Sequence, residues 1–183
     1  MKYVTNFSNT DDYLPIFNAA LFTDLVVILM TITGYIRSKT LREWYQKYGL
    51  AAIIADVLSI MIGVIAARYI YSTFFTGNPG IFVFIIIAVL FQMSHDLLFA
   101  VLFNSVPRGK SQILDTFKDY GKEIGFTILL ADASMIISTI LLGSILADIP
   151  LWTFEMHNGV KKNINIIVCI VLLYLTPYLL YSL

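Results

Sequence analysis

Apolar positions gather into five runs along the chain, 16–36, 50–71, 81–103, 124–147 and 164–183. Each is close to the ~20 residues a helix needs to cross a bilayer. Backbone groups in hydrocarbon must pair within their own segment, so runs of this length predict helices. Two shorter stretches between the runs have a different rhythm. In 40–48, Leu41, Trp44, Tyr45 and Tyr48 recur at helical spacing, with Thr40 and Glu43 placed as a capping box. In 111–121, Ser111 is placed to cap, and Ile113, Leu114, Phe117 and Tyr120 form the apolar face. Both read as amphipathic helices in the headgroup layer, aromatic side toward lipid and basic side toward anionic headgroups. The predicted fold is all-α: a polytopic integral membrane protein with five transmembrane helices and two interfacial ones. Residues 1–15 read as an exposed polar tail without the pattern of a signal peptide. Residues 148–163 read as a loop on the same side as that tail.

Polar residues break the apolar pattern at few places. Asp24, Asp56, Asp96 and Asp132 each sit in a different run, and Gln92 and His95 accompany Asp96. An unpaired Asp at a helix centre costs roughly 2.5–3.5 kcal/mol, so four cost on the order of 10–14 kcal/mol. Counted inward from the ends that carry the basic loops, they lie about 7 to 13 residues deep, roughly 10–20 Å. At those depths the four carboxylates are able to meet. The rows Ala88-Gln92-Asp96-Ala100-Asn104 and Ala51-Ala55-Ser59-Gly63-Ala67 repeat every four residues and predict inward-facing stripes of small and polar side chains. Asp132 shares a face with Thr139 and Gly143, and Asp24 with Thr31. His95 is the nearest candidate partner for a carboxylate. Arg68, near the far end of its run, is expected to extend to the interface.

Three uses fit this set. The residues can form a hydrogen-bonded core that fixes helix packing. They can form a proton or cation pathway. Oxygen ligands with one imidazole can also hold a divalent metal. Enzyme motifs are missing. Gly109-Lys110-Ser111 imitates the end of a phosphate-binding loop, but Asn104 stands where that loop needs a glycine, and a membrane run precedes it. There is no Gly-x-Ser-x-Gly elbow and no His-Glu-x-x-His pair. A non-enzymatic protein without cofactors is expected, with a metal-assisted lipid-modifying enzyme as a lesser alternative.

Composition agrees with the pattern. Of 183 residues, 58% are hydrophobic and 13% charged, against about 25% charged in an ordinary soluble domain. Net charge is zero, so no basic field points to nucleic acid. The single cysteine, Cys169, lies in an apolar run and reads as a small buried side chain. Basic residues concentrate in two loops: Arg37, Lys39, Arg42 and Lys47, then Arg108, Lys110, Lys118 and Lys122. With Trp44 they form the expected membrane-surface set. The loop at 72–80 has no basic residue and 148–163 has Lys161 and Lys162. The positive-inside rule then places the two basic loops and the C-terminus in the cytoplasm and the N-terminus outside or in a lumen.

The halves 16–71 and 81–147 echo one another. Asp24-Leu25, Arg37-Ser38-Lys39-Thr40, Tyr48-Gly49 and Ala55-Asp56 recur in order as Asp96-Leu97, Arg108-Gly109-Lys110-Ser111, Tyr120-Gly121 and Ala131-Asp132. The last interval is four residues longer in the second half, about one helical turn. This reads as a duplicated helical hairpin forming a four-helix bundle over 16–147, with 164–183 added as a fifth, lipid-facing span.

The string Val106-Pro107-Arg108-Gly109-Lys110-Ser111, continuing through Asp115, Phe117-Lys118-Asp119-Tyr120 and Lys122-Glu123, has a further likeness, as has Tyr48-Gly49 leading to Ala55-Asp56. Over roughly residues 41–140 the chain resembles small multi-spanning membrane proteins of nucleocytoplasmic large DNA viruses of algae and protists. The resemblance implies a viral or virus-modified membrane, such as the virion's inner membrane or an internal host membrane, and a structural or assembly role. It transfers no active residues. The expected partners are the bilayer, a second copy of the chain, or a membrane or capsid protein.

Overall fold

A computed structural model describes residues 3–75, 79–149 and 158–183, with side chains of the last stretch from 164 onward. Among the described residues there are seven α-helices and no strands. They are α1 (Tyr13–Ile32), α2 (Lys39–Tyr48), α3 (Leu50–Phe74), α4 (Ile81–Ser105), α5 (Gln112–Ile124), α6 (Thr127–Asp148) and α7 (Asn158–Leu180). A short 3-10 turn, Thr10–Asp12, precedes α1.

Four helices, α1, α3, α4 and α6, are long and apolar enough to cross a bilayer. They are apolar on all sides, as helices facing both a protein core and lipid must be. The fifth expected span is shorter in its described apolar part, Ile164–Leu180. Of the loop expected over 148–163, residues 150–157 lie outside the described residues. Residues 158–163, with Lys161 and Lys162, are not loop but the first turns of α7, which begins at Asn158, six residues before the apolar run, because helical backbone continues into its polar flank.

Helix α1 packs against α3 and α6, α4 packs against the same two, and α3 meets α6 across the middle. The four therefore close into a ring, with α7 lying outside on α1. Two glycines permit close approach. A Cβ on Gly63 would stand 3.0 Å from both Gln92 Oε1 and Ile136 Cδ1. One on Gly143 would stand 3.5 Å from the Ile16 backbone of α1. The predicted stripes are inward over only part of their length. Gly63, Ala67, Ala88 and Gln92 are buried, but Ala51, Ala55 and Asn104 are exposed. The reason is geometric: at 3.6 residues per turn, each four-residue step drifts about 40° around the helix, so a long row leaves the core.

Helices α2 and α5 lie together at one end, called here the basic end. The Trp44 and Phe117 rings are 5.0 Å apart, and Tyr48 Oη and Thr116 Oγ1 are 3.1 Å apart. Ser38 begins α2, its hydroxyl accepting from Leu41 N–H at 3.0 Å. The cap is thus Ser38 and not the expected Thr40, whose own N–H is taken by Glu123 of α5. Ser111 begins α5 as expected, accepting from Leu114 N–H. Both helices end on a glycine with positive φ, Gly49 (55°) and Gly125 (61°), a backbone region that favours glycine. The first span stops at Ile32, short of the expected 36, where Arg42 of α2 donates to the terminal carbonyl of Thr31 at 2.9 Å.

At the far end the N-terminal segment is not an exposed tail throughout. Val4, Thr5, Asp12 and Pro15 are buried. Arg68 of α3 is fully enclosed rather than extended to the interface. Its guanidinium donates to the carbonyls of Asn6 and Asn9 and pairs with Asp12 at 3.1 Å. It also lies 5.1 Å from the Tyr13 ring centroid. Once the segment before α1 folds back over α3, a near partner removes the need to reach water.

Candidate functional site

The four carboxylates come together toward the basic end, beneath α2 and α5. Asp24 is fully enclosed on α1 and Asp56 is half-buried on α3. Both are met by α2. Trp44 Nε1–H donates to Asp56 Oδ2 at 2.9 Å. Tyr45 O–H donates to Asp24 Oδ1 at 2.8 Å, with Asp56 also within its reach. Trp44 and Tyr45 are adjacent in sequence, and both are buried. The ring face expected to rest on lipid instead turns into the bundle, because the two carboxylates offer acceptors that hydrocarbon does not. Burial, then the facing Asp24 and Asp56, raise the Tyr45 phenol well above its usual range, which keeps it a donor.

The second pair is Asp96 of α4 and Asp132 of α6, whose carboxyls lie within electrostatic reach of each other. Asp96 Oδ1 accepts from Gln92 Nε2–H at 2.7 Å and lies 3.2 Å from His95 Nδ1. His95 is thus the partner of a carboxylate, as expected from their adjacency. Asp96 Oδ2 and Asp24 Oδ2 are buried and have no donor among the described residues. Asp56 stands within electrostatic reach of both Asp24 and Asp132, so it joins the two pairs. On α5, Tyr120 lies near Asp132, Asp56 and Glu123; burial and then these carboxylates raise its phenol.

Toward the far end the cluster is covered by Val64, Phe84, Ile136 and Ile140, each fully enclosed in the apolar core. On the divalent-metal use, no three His, Cys, Asp or Glu side chains among the described residues are grouped to hold an ion. Three of the intramembrane carboxylates, Asp24, Asp56 and Asp96, each accept from a neutral donor.

The membrane-surface set divides. Arg37, Lys39, Lys47, Arg108, Lys110 and Lys122 are exposed. Arg42 is tied to Thr31 and to the Leu183 carbonyl. Lys118 is buried, bonded to the Val106 carbonyl and 3.7 Å from Asp115. Glu123, at the end of α5, was not a candidate from sequence. Its two oxygens accept the backbone N–H groups of Lys39 and Thr40 at 2.7 and 2.8 Å, capping α2 from another element. No local spacing foretells that bond. A different signal does exist for the aromatic residues near the carboxylates: Trp44, which donates to Asp56, lies twelve residues before it, and Tyr120 lies twelve before Asp132.

Fold and site together define a class: an all-helical, multi-pass membrane protein with a paired-carboxylate core closed at one end by two amphipathic helices. Beyond the class, comparison with family models, curated proteins and solved structures finds no match.

Proposed function

We propose that this chain is a non-enzymatic membrane protein of structural or assembly role, whose Asp/His core locks helices together. The observation that carries this reading is the docking of α2, in which Trp44 and Tyr45 donate to Asp56 and Asp24. Carboxylates satisfied by neutral donors hold an amphipathic helix on a bundle. The enclosed apolar layer of Val64, Phe84, Ile136 and Ile140 argues in the same direction, since it separates the cluster from the far end. The viral or virus-modified membrane rests on the likeness over residues 41–140, and with it assembly with a second copy or a capsid protein. The test is limited proteolysis in detergent. With Trp44→Phe and Tyr45→Phe together, α2 should detach and cleavage within 33–49 should appear. Asp24→Asn and Asp56→Asn keep an acceptor and should stay protected. An undiminished resistance of the double Phe variant would remove the basis of the reading.

The finer architecture belongs to the same proposal: α7 as a fifth span, the basic end in the cytoplasm, and a duplicated hairpin. Three features support duplication. Exchanging α1 with α4 and α3 with α6 leaves the pattern of neighbours unchanged. Ser38 and Ser111 begin equivalent helices. Asp56 follows Gly49 by seven residues and Asp132 follows Gly125 by seven. In this register Gly49 matches Gly125, not Gly121, and the extra turn lies inside α5.

A second reading, a small proton or cation channel or transporter using Asp24, Asp56, His95, Asp96 and Asp132, is favoured by one observation. Asp96 Oδ2 is buried without a donor among the described residues, and Asp132 lies within electrostatic reach; two neighbouring buried carboxyls are eased by a proton or a cation. Flux in proteoliposomes that Asp96→Asn abolishes would establish it. Absence of proton or cation flux in the wild type would leave the pair as architecture.

A further inference from the structure

The outward side of His95 has a feature that helix locking does not use. A groove of 210 Å³ runs between α3 and α4, lined on one side by Ala55, Ser59 and Ile62 of α3 and on the other by Phe91, Gln92 and His95 of α4. The lining residues Leu58 and Ile62 are themselves exposed on the outside of α3, so the groove opens on an apolar surface. The imidazole is oriented by two neighbours. Nδ1 faces Asp96 Oδ1 at 3.2 Å, and the ring stacks on Phe99 at 6.0 Å with planes 8° apart. Asp96 Oδ1 accepts from Gln92 as well, so the hydrogen-bond network assigns the neutral imidazole its proton on Nδ1. In the neutral ring Nε2 then carries a lone pair. Its side chain is 45% exposed, and Nε2 has no partner among the described residues. An acceptor facing hydrocarbon is costly unless something supplies a donor.

We propose that this groove binds a membrane-dissolved alcohol, whose hydroxyl donates to His95 Nε2 while its hydrocarbon remains in the bilayer. The chemistry selects this class. The imidazole requires a donor, and no carboxylate of the cluster lines the groove to call for a cation. Ser59 and Gln92 provide further neutral partners for one hydroxyl. The volume is below the roughly 300–1,000 Å³ that enclose a whole drug-sized ligand, so it suits the head end of an amphiphile. A second copy of the chain would present a helix face too broad for a slot of this size.

The test uses the full chain in nanodiscs and a long-chain alcohol carrying a diazirine, with its methyl ether as control. Labelled peptides are mapped by mass spectrometry. The alcohol should mark the segments around 55–63 and 91–95 in preference to α7, and unmodified alcohol should compete. The methyl ether should lose the preference by roughly fivefold, the worth of one hydrogen bond. His95→Phe should lose it likewise. Ala55→Phe, on the opposite wall, should block labelling by filling the groove, and so tests the site even if His95→Phe perturbs the fold. Equal labelling of every lipid-facing helix, or unchanged groove labelling by the ether and in both variants, would overturn the proposal.

Discussion

A carboxylate at the end of α5 decides whether α2 has a first turn. Glu123 accepts two of the orphan N–H groups there, and Ser38 accepts a third. Burial works against its charge, but hydrogen bonds from the Thr40 and Lys39 region outweigh it and hold the carboxyl below the ordinary value of 4.5. A depressed folded pKa gives stability that is present above 4.5 and lost as pH falls through the lower folded value. Glu123→Ala should therefore cost about 0.5–2 kcal/mol at neutral pH. The gap to wild type should close in acid, as thermal melts in detergent at the two pH values would register. Deeper in, Trp44→Phe leaves Asp56 without its indole donor and should cost about 1–3 kcal/mol. Asp56→Asn, which keeps an acceptor, should cost less in the same denaturation series.

Helix packing depends on where side chains are small. Gly63 faces Gln92 and Ile136 at distances that leave no room for a branched side chain. Gly63→Val should destabilise by about 1–3 kcal/mol through overpacking. At Ala51, on the same four-residue row but exposed, Ala51→Val should be nearly neutral. Comparing the two by thermal unfolding tests whether the row winds out of the core as the helix geometry requires. The amphipathic helices carry the same lesson. Their spacing located a hydrophobic face in the sequence, but a lipid surface and a protein surface both satisfy that face.

For the molecule as a whole, the two ends are closed by different means: aromatic hydrogen bonds to carboxylates at the basic end, and a buried ion pair at the other. Asp12→Leu would strand the Arg68 charge and should cost about 3–5 kcal/mol. Adding Arg68→Met should recover most of that loss, a coupling that a double-mutant cycle measures. Orientation is a property of the whole chain as well. With Cys169→Ala in the background, Lys110→Cys should react with an impermeant reagent only from the cytoplasmic side. Labelling from the opposite side would reverse the topology.

What the sequence by itself determined was the class and the placement of the helices. Apolar runs of this length leave the backbone no alternative to helix, and the polar breaks at Asp24, Asp56, Asp96 and Asp132 stood out because charge in such runs is costly. His95 beside Asp96 was legible for the same reason. What tertiary structure decided was partnership. Trp44 and Tyr45 turn away from lipid because acceptors on two other helices lie beneath them. Arg68 stays inside because a segment more than fifty residues earlier folds over it. Glu123 caps a helix that begins more than eighty residues before it. Periodicity records what a residue shares with its own helix, whereas these contacts are fixed only when separate helices meet.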